Sequence, residues 1–293
     1  MKLKGEIKMI YVLMNPKANN GSGENNAREW ASKSLKEEPT FINVLETTDM
    51  KGFLSSLDEN DEIIVTGGDG TIHNFVNNVY DLKLKNKMYY VKSGSGNDFY
   101  RDNAEYVDEL GRIELSRFLK NLPLVKVNGI ERRFINGIGY GLDGIACAIG
   151  EQMRMKTSKK INYTSIAVKQ LLGKYKMRHA TVTVDGVTKE YDNVWVCPTM
   201  KGKYYGGGMK VAPNQDRFDP ENKVTVVTFH KKGRIATLLS FTNFSKGNHE
   251  KLSKNIDSVR GSKVEVKFDI PCALQIDGEV VENVTSYVVE IDE

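Results

Sequence analysis

The chain offers little cysteine chemistry. Cys147, Cys197 and Cys272 are odd in number, far apart and without a C-x-x-C pair, which argues against a zinc ribbon, a dithiol redox motif or a disulfide framework. Reduced, partly buried thiols of a cytosolic protein account for them. Long hydrophobic runs are missing too. None approaches the roughly 18–20 apolar residues of a transmembrane helix. The apolar stretch near the N-terminus is short of the roughly 7–15 residues of a signal-peptide core and has no small-residue cleavage site. We expect a cytoplasmic protein whose contact with a membrane is peripheral. A charge excess is also lacking: 42 basic residues stand against 38 acidic ones, a net +4, too mild to imply a nucleic-acid partner. There is no internal repeat and no low-complexity linker. Neither the Walker A pattern G-x-x-x-x-G-K-[ST] nor the Rossmann G-x-G-x-x-G occurs.

What is present is the material of a folded core. In 293 residues, 40% are hydrophobic and 27% charged, as in ordinary globular proteins, and the length suits one large domain or two ordinary ones. The first third alternates strand and helix patterns. Met9–Met14 reads as a buried parallel strand, followed by the polar loop Asn15–Gly23 and a helix carrying Ala27, Trp30, Ala31 and Leu35. Phe41–Leu45 reads as a second strand, Phe53–Leu57 as a short helix, and Glu62–Thr66 as a third strand. A helix from about Ile72 to Leu82 and a fourth strand, Met88–Val91, complete the series. This grammar predicts an α/β, doubly wound parallel sheet over residues 1–122, with its loops gathered at the carboxyl edge where ligands bind.

After that the pattern turns to strands: 125–127, 132–136, 180–184, 191–197, 224–229, 263–268, 273–276 and 286–291. Helical insertions are expected at 145–155, 161–172 and 234–246. Asp185-Gly186 and Asp277-Gly278 suit two-residue hairpin turns. Residues 123–293 therefore read as a mainly antiparallel β-sandwich domain. Within it, residues 151–180 hold eight Lys or Arg and a single acid, Glu151. That stretch, with Lys231-Lys-Gly-Arg234, suits either an anionic membrane surface or a solvated helix face. Ile161, Ile166, Val168, Leu171 and Leu172 nearby would touch acyl chains or pack in the core.

The residues that carry chemistry lie in the first third. Gly67-Gly68-Asp69-Gly70-Thr71 sits between a buried strand and a helix. Its glycines let the backbone approach a ligand or take positive φ, and its amides with the helix N-terminus make a nest for phosphate oxygens. Asp69 suits such a loop when Mg²⁺ or its water shell stands between carboxylate and phosphate. One glycine-rich turn alone could be a plain strand-to-helix turn with a capping Asp. Here the next strand ends in Ser93-Gly94-Ser95-Gly96-Asn97-Asp98 and the first in Asn15–Gly23, so three such loops meet at one edge. Ser95 can donate to a phosphate or ribose; Asn97 and Asp98 add a carboxamide and a second carboxylate.

These segments resemble the diacylglycerol kinase catalytic-domain family, which includes sphingosine and ceramide kinases and small bacterial lipid kinases. The matching text is Asn15-Pro16 with Gly21-Ser-Gly23, Val65–Ile72, Gly94–Phe99, Phe134-Ile-Asn136 leading to Gly141-Leu-Asp143, Tyr205–Met209 with Ala212-Pro213, and Gln275-Ile-Asp-Gly-Glu279. They run in family order over almost the whole chain. The glycine loop by itself is shared with NAD kinases and phosphofructokinases; its combination with Gly-Asn-Asp-Phe and a late Asp-Gly-Glu is more specific. The resemblance implies ATP at Asn15, Thr47, Gly67–Thr71 and Ser95 to Asp98, with Mg²⁺, and a cleft active site. It implies a general base in the Asp-Gly-Glu segment, Glu279 with Asp277 as second choice. It also implies a metal in the second domain, for which Asp219 and then Asp216 are the surviving ligands in a loop, 214–222, that lacks the family's Asp-Gly. His73-Asn74 replaces a common Asn-Glu; His73 caps the helix or packs at the surface. Lys17, or Lys201, Lys203 and Lys210, would offset developing negative charge. The expected reaction is phosphorylation of a lipid hydroxyl, foremost diacylglycerol to phosphatidic acid, at an anionic membrane surface. Alternatives are an NAD kinase-like enzyme with a soluble substrate and a catalytically impaired lipid-binding or regulatory protein. A homodimer is expected from the general frequency of such assemblies.

Overall fold

The computed structural model describes residues 9–93, 97–156, 161–231 and 233–291. The chain divides into two compact units, residues 1–120 and 121–293.

The first unit is built on a five-stranded sheet. Its strands are β1 (Ile10–Met14), β2 (Thr40–Asn43), β3 (Glu62–Gly67), β4 (Lys87–Lys92) and β5 (Arg112–Glu114), in the order β2-β1-β3-β4-β5. The first four run parallel, with Leu13 opposite Ile42 and Val65, and Thr66 opposite Val91. All six residues of β3 are buried, as a central strand covered on both faces requires. Strand β5, which the sequence pattern did not disclose, is too short for a periodicity signal and runs antiparallel to β4. The helices are α1 (Ala18–Gly21), α2 (Gly23–Ser34), α3 (Met50–Ser55), α4 (Asp69–Val79) and α5 (Asp98–Asp102). Helix α4 begins within the glycine loop, three residues before the expected Ile72. It buries Ile72, Phe75, Val76 and Val79 on one face. His73 is 3% exposed, so it packs inside and not at the surface.

Because β1 leads one way to β2 and the other way to β3, the chain changes direction between the carboxyl ends of β1 and β3. That is the switch point at which sheets of this kind open a crevice. Asn15 and Gly67 stand at its two sides.

The second unit is a ten-stranded antiparallel sheet. Its strands are β6 (Leu124–Val127), β7 (Ile130–Arg133), β8 (Gly137–Tyr140), β9 (Arg178–Val184), β10 (Val187–Val196), β11 (Thr199–Met200), β12 (Val224–His230), β13 (Ile256–Gly261), β14 (Lys263–Ile276) and β15 (Glu279–Glu290). Strand β14 pairs with both β8 and β9, so β14, β8, β11, β12, β10 and β9 close into a ring. Closure removes the edges an open sheet would expose. The expected strands at 263–268 and 273–276 are one strand, bent where its register with β15 shifts between Lys267 and Cys272; the bulge lets its two halves serve different neighbours. Tyr140 stacks on Phe268 with ring centroids 3.9 Å apart inside this ring. The helices are α6 (Leu142–Arg154), α7 (Tyr163–Leu172) and α8 (Arg234–Ser245), close to the three expected insertions. Of the apolar residues at issue in α7, Ile166 and Leu171 are buried and Leu172 is 49% exposed. Among the described residues no helix is long and apolar enough to cross a membrane.

Candidate active site

Three loops leave the carboxyl edge of the parallel sheet, and one carboxylate joins two of them. Asp69, the first residue of α4, accepts hydrogen bonds from the amides of Asp98 (to Oδ2, 3.1 Å) and Phe99 (to Oδ1, 3.2 Å). Asn97, in the left-handed conformation at φ 48°, makes no side-chain cap for α5; Asp69 supplies it from the neighbouring loop. The Tyr90 hydroxyl donates to the Gly67 carbonyl (2.9 Å), and the Ser93 amide donates to the same oxygen (2.8 Å). The Asn15 carboxamide reaches the Thr71 hydroxyl across the switch point (3.4 Å). Thr71 also explains Gly67. A Cβ there would collide with the Thr71 side chain, so the glycine serves close packing. Gly68, expected to exploit positive φ, has φ −102° and ψ −168°, extended backbone open to any residue. Helix α4 has no side-chain cap at Gly68.

Asp98 is 3% exposed and pairs with Arg101 at 3.3 Å. Thr47 lies in the turn after β2, its hydroxyl donating to the Asn43 carbonyl (2.9 Å). Ser95 and Gly96 lie outside the described residues. Asn15, Gly67, Gly68, Asp69, Gly70, Thr71, Asn97 and Asp98 are thus brought to one edge of the first unit.

In the second unit the Asp-Gly-Glu segment separates its two acids. Asp277-Gly278 is the two-residue turn between β14 and β15, with both residues at positive φ and Ile276 opposite Glu279. The Asp277 carboxylate accepts the amides of Ile135 (2.7 Å), Asn136 (2.8 Å) and Gly137 (2.9 Å). Three of its roughly four acceptor positions are therefore occupied by backbone. Asp185, in the other Asp-Gly hairpin, does the same for the amides of Ser262 and Lys263. Asp277 clamps the entry to β8, while Glu279 is exposed. Gln275 holds the turn from within, its Oε1 accepting the Gly278 amide (2.6 Å).

Helix α6 brings three groups onto one face at intervals of four residues, Asp143, Cys147 and Glu151. Burial, then the charge of Glu279, raises the Glu151 carboxyl. Burial pushes Cys147 up to about 12. Both Asp143 oxygens are shielded from solvent and, among the described residues, complete no hydrogen bond. Burial pushes this carboxyl up to about 6, although the Tyr205 hydroxyl and the Gly144 amide approach closely enough to pull it the other way. In the sequence Asp143 and Tyr205 stand only as motif text with no part assigned, and Glu151 only as the single acid of a basic stretch. That singularity is the available signal.

The expected metal ligands have other employment. Asp219 accepts the amides of Lys223 (3.1 Å) and Glu221 (3.4 Å) and pairs with Arg260. Burial alone would raise its carboxyl; the backbone amides and then Arg260 hold it below the ordinary range. Asp216 accepts the Phe218 amide (2.9 Å). Among the described residues no group of three or more His, Cys, Asp or Glu is placed to hold a metal. A guanidinium takes the charge of Asp219, and the loop is tied down by Arg217 to the Ile135 carbonyl and by Lys201 to Asn222. Burial and then Arg217 lower Lys201 to about 8. It is 4% exposed, which fits a structural ammonium better than one reaching for phosphate.

Comparison with known proteins agrees with this architecture. Residues 9–116 match the diacylglycerol kinase catalytic domain, and residues 136–291 match the YegS C-terminal NAD kinase beta sandwich-like domain. The chain is similar to the Bacillus subtilis protein named "Putative lipid kinase YtlR", 25% identical over 240 residues covering 75% of this chain and 74% of that protein. It is similar to a diacylglycerol kinase of Mycobacterium tuberculosis, 22% identical over 213 residues covering 71% and 67%. A crystal structure of a diacylglycerol kinase from Bacillus anthracis superposes with a TM-score of 0.64 at 20% identity, over 98% of this chain and 95% of that one, which establishes the fold.

The two carboxylates buried in the second unit give measurable consequences. Asp277→Ala leaves three buried amides unpaired and lowers stability by about 3 kcal/mol or more in urea unfolding, whereas Glu279→Gln leaves the midpoint unchanged. For Asp143, whose carboxyl rises from 3.8 to about 6, the folded chain keeps a proton that the unfolded chain releases. Its contribution is present below about pH 4 and lost as pH rises through about 6. Asp143→Asn should match the parent near pH 4 and exceed it by about 3 kcal/mol at pH 7.5, as read by urea unfolding at the two pH values.

With both of its units matched in order, the chain belongs to the lipid kinase family of the diacylglycerol kinase type, the catalytic domain followed by the YegS-type C-terminal domain.

Proposed function

We propose that the protein transfers the γ-phosphoryl group of ATP to the hydroxyl of a lipid alcohol, with diacylglycerol as the foremost substrate and phosphatidic acid as product. The observation that carries this reading is the Asp69 carboxylate joined to the amides of Asp98 and Phe99. It binds the glycine loop and the Gly-Asn-Asp-Phe loop into one surface of backbone donors and carboxylates at the sheet's carboxyl edge.

The residues present fit a triphosphate and its cation. Gly68, the N-cap of α4, has no side chain to cap the helix, and a helix N-terminus presents its positive dipole end to phosphate oxygens. Each Asp69 oxygen accepts a backbone amide, and oxygen ligands of this kind are what Mg²⁺ takes alongside phosphate. Asp69 and Asp98 would therefore hold a nucleotide-bound Mg²⁺, directly or through water. That cation supplies neutralisation of charge on the β- and γ-phosphates. Asn15 and Thr71 orient the nucleotide from the far side of the switch point, and Thr47 closes the turn beside them.

Glu279 is the better proton acceptor of the late motif, because Asp277 is engaged by three amides. Glu151 lies close enough to feel the charge of Glu279, and like charges favour the protonated form of one partner. Glu279 would take the proton of the lipid hydroxyl, whose oxygen bonds to the γ-phosphorus as the bond from that phosphorus to the bridging oxygen breaks and ADP leaves.

The test is transfer of ³²P from labelled ATP, with Mg²⁺, to a panel of lipid alcohols in mixed micelles, with NAD as a soluble control. Label on diacylglycerol, lowered by about 10²-fold or more in Glu279→Gln, is the expected result. Label on NAD instead, or none on any lipid, would overturn the reading.

A further inference from the structure

Helix α8 is apolar on both of its sides, and among the described residues only one side has a partner. From Ile235 to Ser245 it carries no charged residue. Its inner side is covered: Phe244 is buried and stacks on Phe229 with centroids 5.0 Å apart, and Leu238 and Phe241 pack on the same cluster. On the outer side, one turn apart, Ile235 is 72% exposed and Leu239 is 74% exposed. A helix hydrophobic all round is normally buried in a core or a membrane. Here the core covers half of it.

The surroundings indicate what covers the rest. From residue 152 to 184 and from 222 to 249 the chain contains no Asp or Glu, while these two stretches hold thirteen Lys or Arg. Structure brings them together. The Arg234 guanidinium at the start of α8 donates to the carbonyls of Leu171, at the end of α7, and of Tyr175 just beyond it, so the start of α8 adjoins the end of α7, where Leu172, Lys169 and Lys174 are exposed. Apolar side chains standing clear of the surface, on stretches of chain that carry Lys and Arg and no acid, are the pattern of an interfacial helix on anionic lipid. A second copy of the chain would set two positive surfaces against each other, which the charge disfavours.

We propose that the outer side of α8 docks on an anionic bilayer, with Ile235 and Leu239 entering the acyl boundary and the α7 lysines held at the headgroups. The proposal deepens the lipid-kinase reading, since it says how a chain without a membrane-crossing helix among its described residues reaches a bilayer substrate. It rests on that reading only for its purpose, because vesicle binding is measured without nucleotide.

Sedimentation of the full chain with vesicles of phosphatidylglycerol and phosphatidylcholine tests it. Binding is expected to the anionic mixture, to fall with added salt, and to be absent on pure phosphatidylcholine. Ile235→Ser with Leu239→Ser should weaken it about tenfold or more, and Lys169→Glu with Lys174→Glu should weaken it likewise. Transfer to a dispersed short-chain diacylglycerol should stay unchanged in both variants. Vesicle binding equal to the parent in the serine variant, or no vesicle binding by the parent, would overturn the proposal. So would a parent dimer that the serine variant converts to monomer, which would make this side a self-interface. Vesicle binding without transfer to any lipid would sink the kinase reading and leave the docking surface standing.

Discussion

The first unit depends on one carboxylate spanning two loops. The parallel sheet delivers the ends of β1, β3 and β4 to one edge, but strand ends alone do not fix the conformation of the loops beyond them. Asp69 does that by capping α5 from the start of α4. Gly67 is then constrained from two directions, by the packing of Thr71 and by the hydrogen bonds that Tyr90 and Ser93 make to its carbonyl. The donors at this edge are held before any ligand arrives, and preorganised dipoles are what a phosphoryl-transfer site needs most.

The second unit uses the same device for a different end. Asp277 and Asp185 each occupy the first position of a two-residue hairpin and each direct their carboxylate at the amides of another strand segment. A turn residue becomes a clamp between parts of the closed sheet. This separates the two acids of the late motif by physical role, the aspartate satisfied by backbone and the glutamate exposed. The loop 214–222 obeys a related logic. Lys201, Arg217 and Arg260 hold it by side-chain hydrogen bonds and an ion pair.

Much of this was legible in the sequence. Continuous apolar runs marked the parallel strands, Gly and Asp marked the turns, and three helical insertions fell within a few residues of α6, α7 and α8. The illegible parts depended on partners distant in the chain. Strand β5 is three residues long, β11 is two, and neither has a period to read. The bend in β14 exists because its halves pair with different strands. The positive φ expected of the glycine loop was a local inference, while the actual constraint at Gly67 comes from Thr71 in the next helical turn. The partner of Asp219, expected as a metal ligand, was hidden for the same reason: Arg260 arrives from 41 residues away. Likewise, the unsatisfied oxygens of Asp143 are a property of burial, which a single sequence does not display.

On the proposed function, Asp69 holds the two loops in the arrangement that binds nucleotide. Titration calorimetry of ATP with Mg²⁺ into the parent and an Asp69→Asn variant tests it most directly, because asparagine keeps the size while setting an NH₂ group against an amide donor. The parent should bind, and the folded variant should bind about tenfold more weakly or worse. Equal affinity in the two proteins would contradict it.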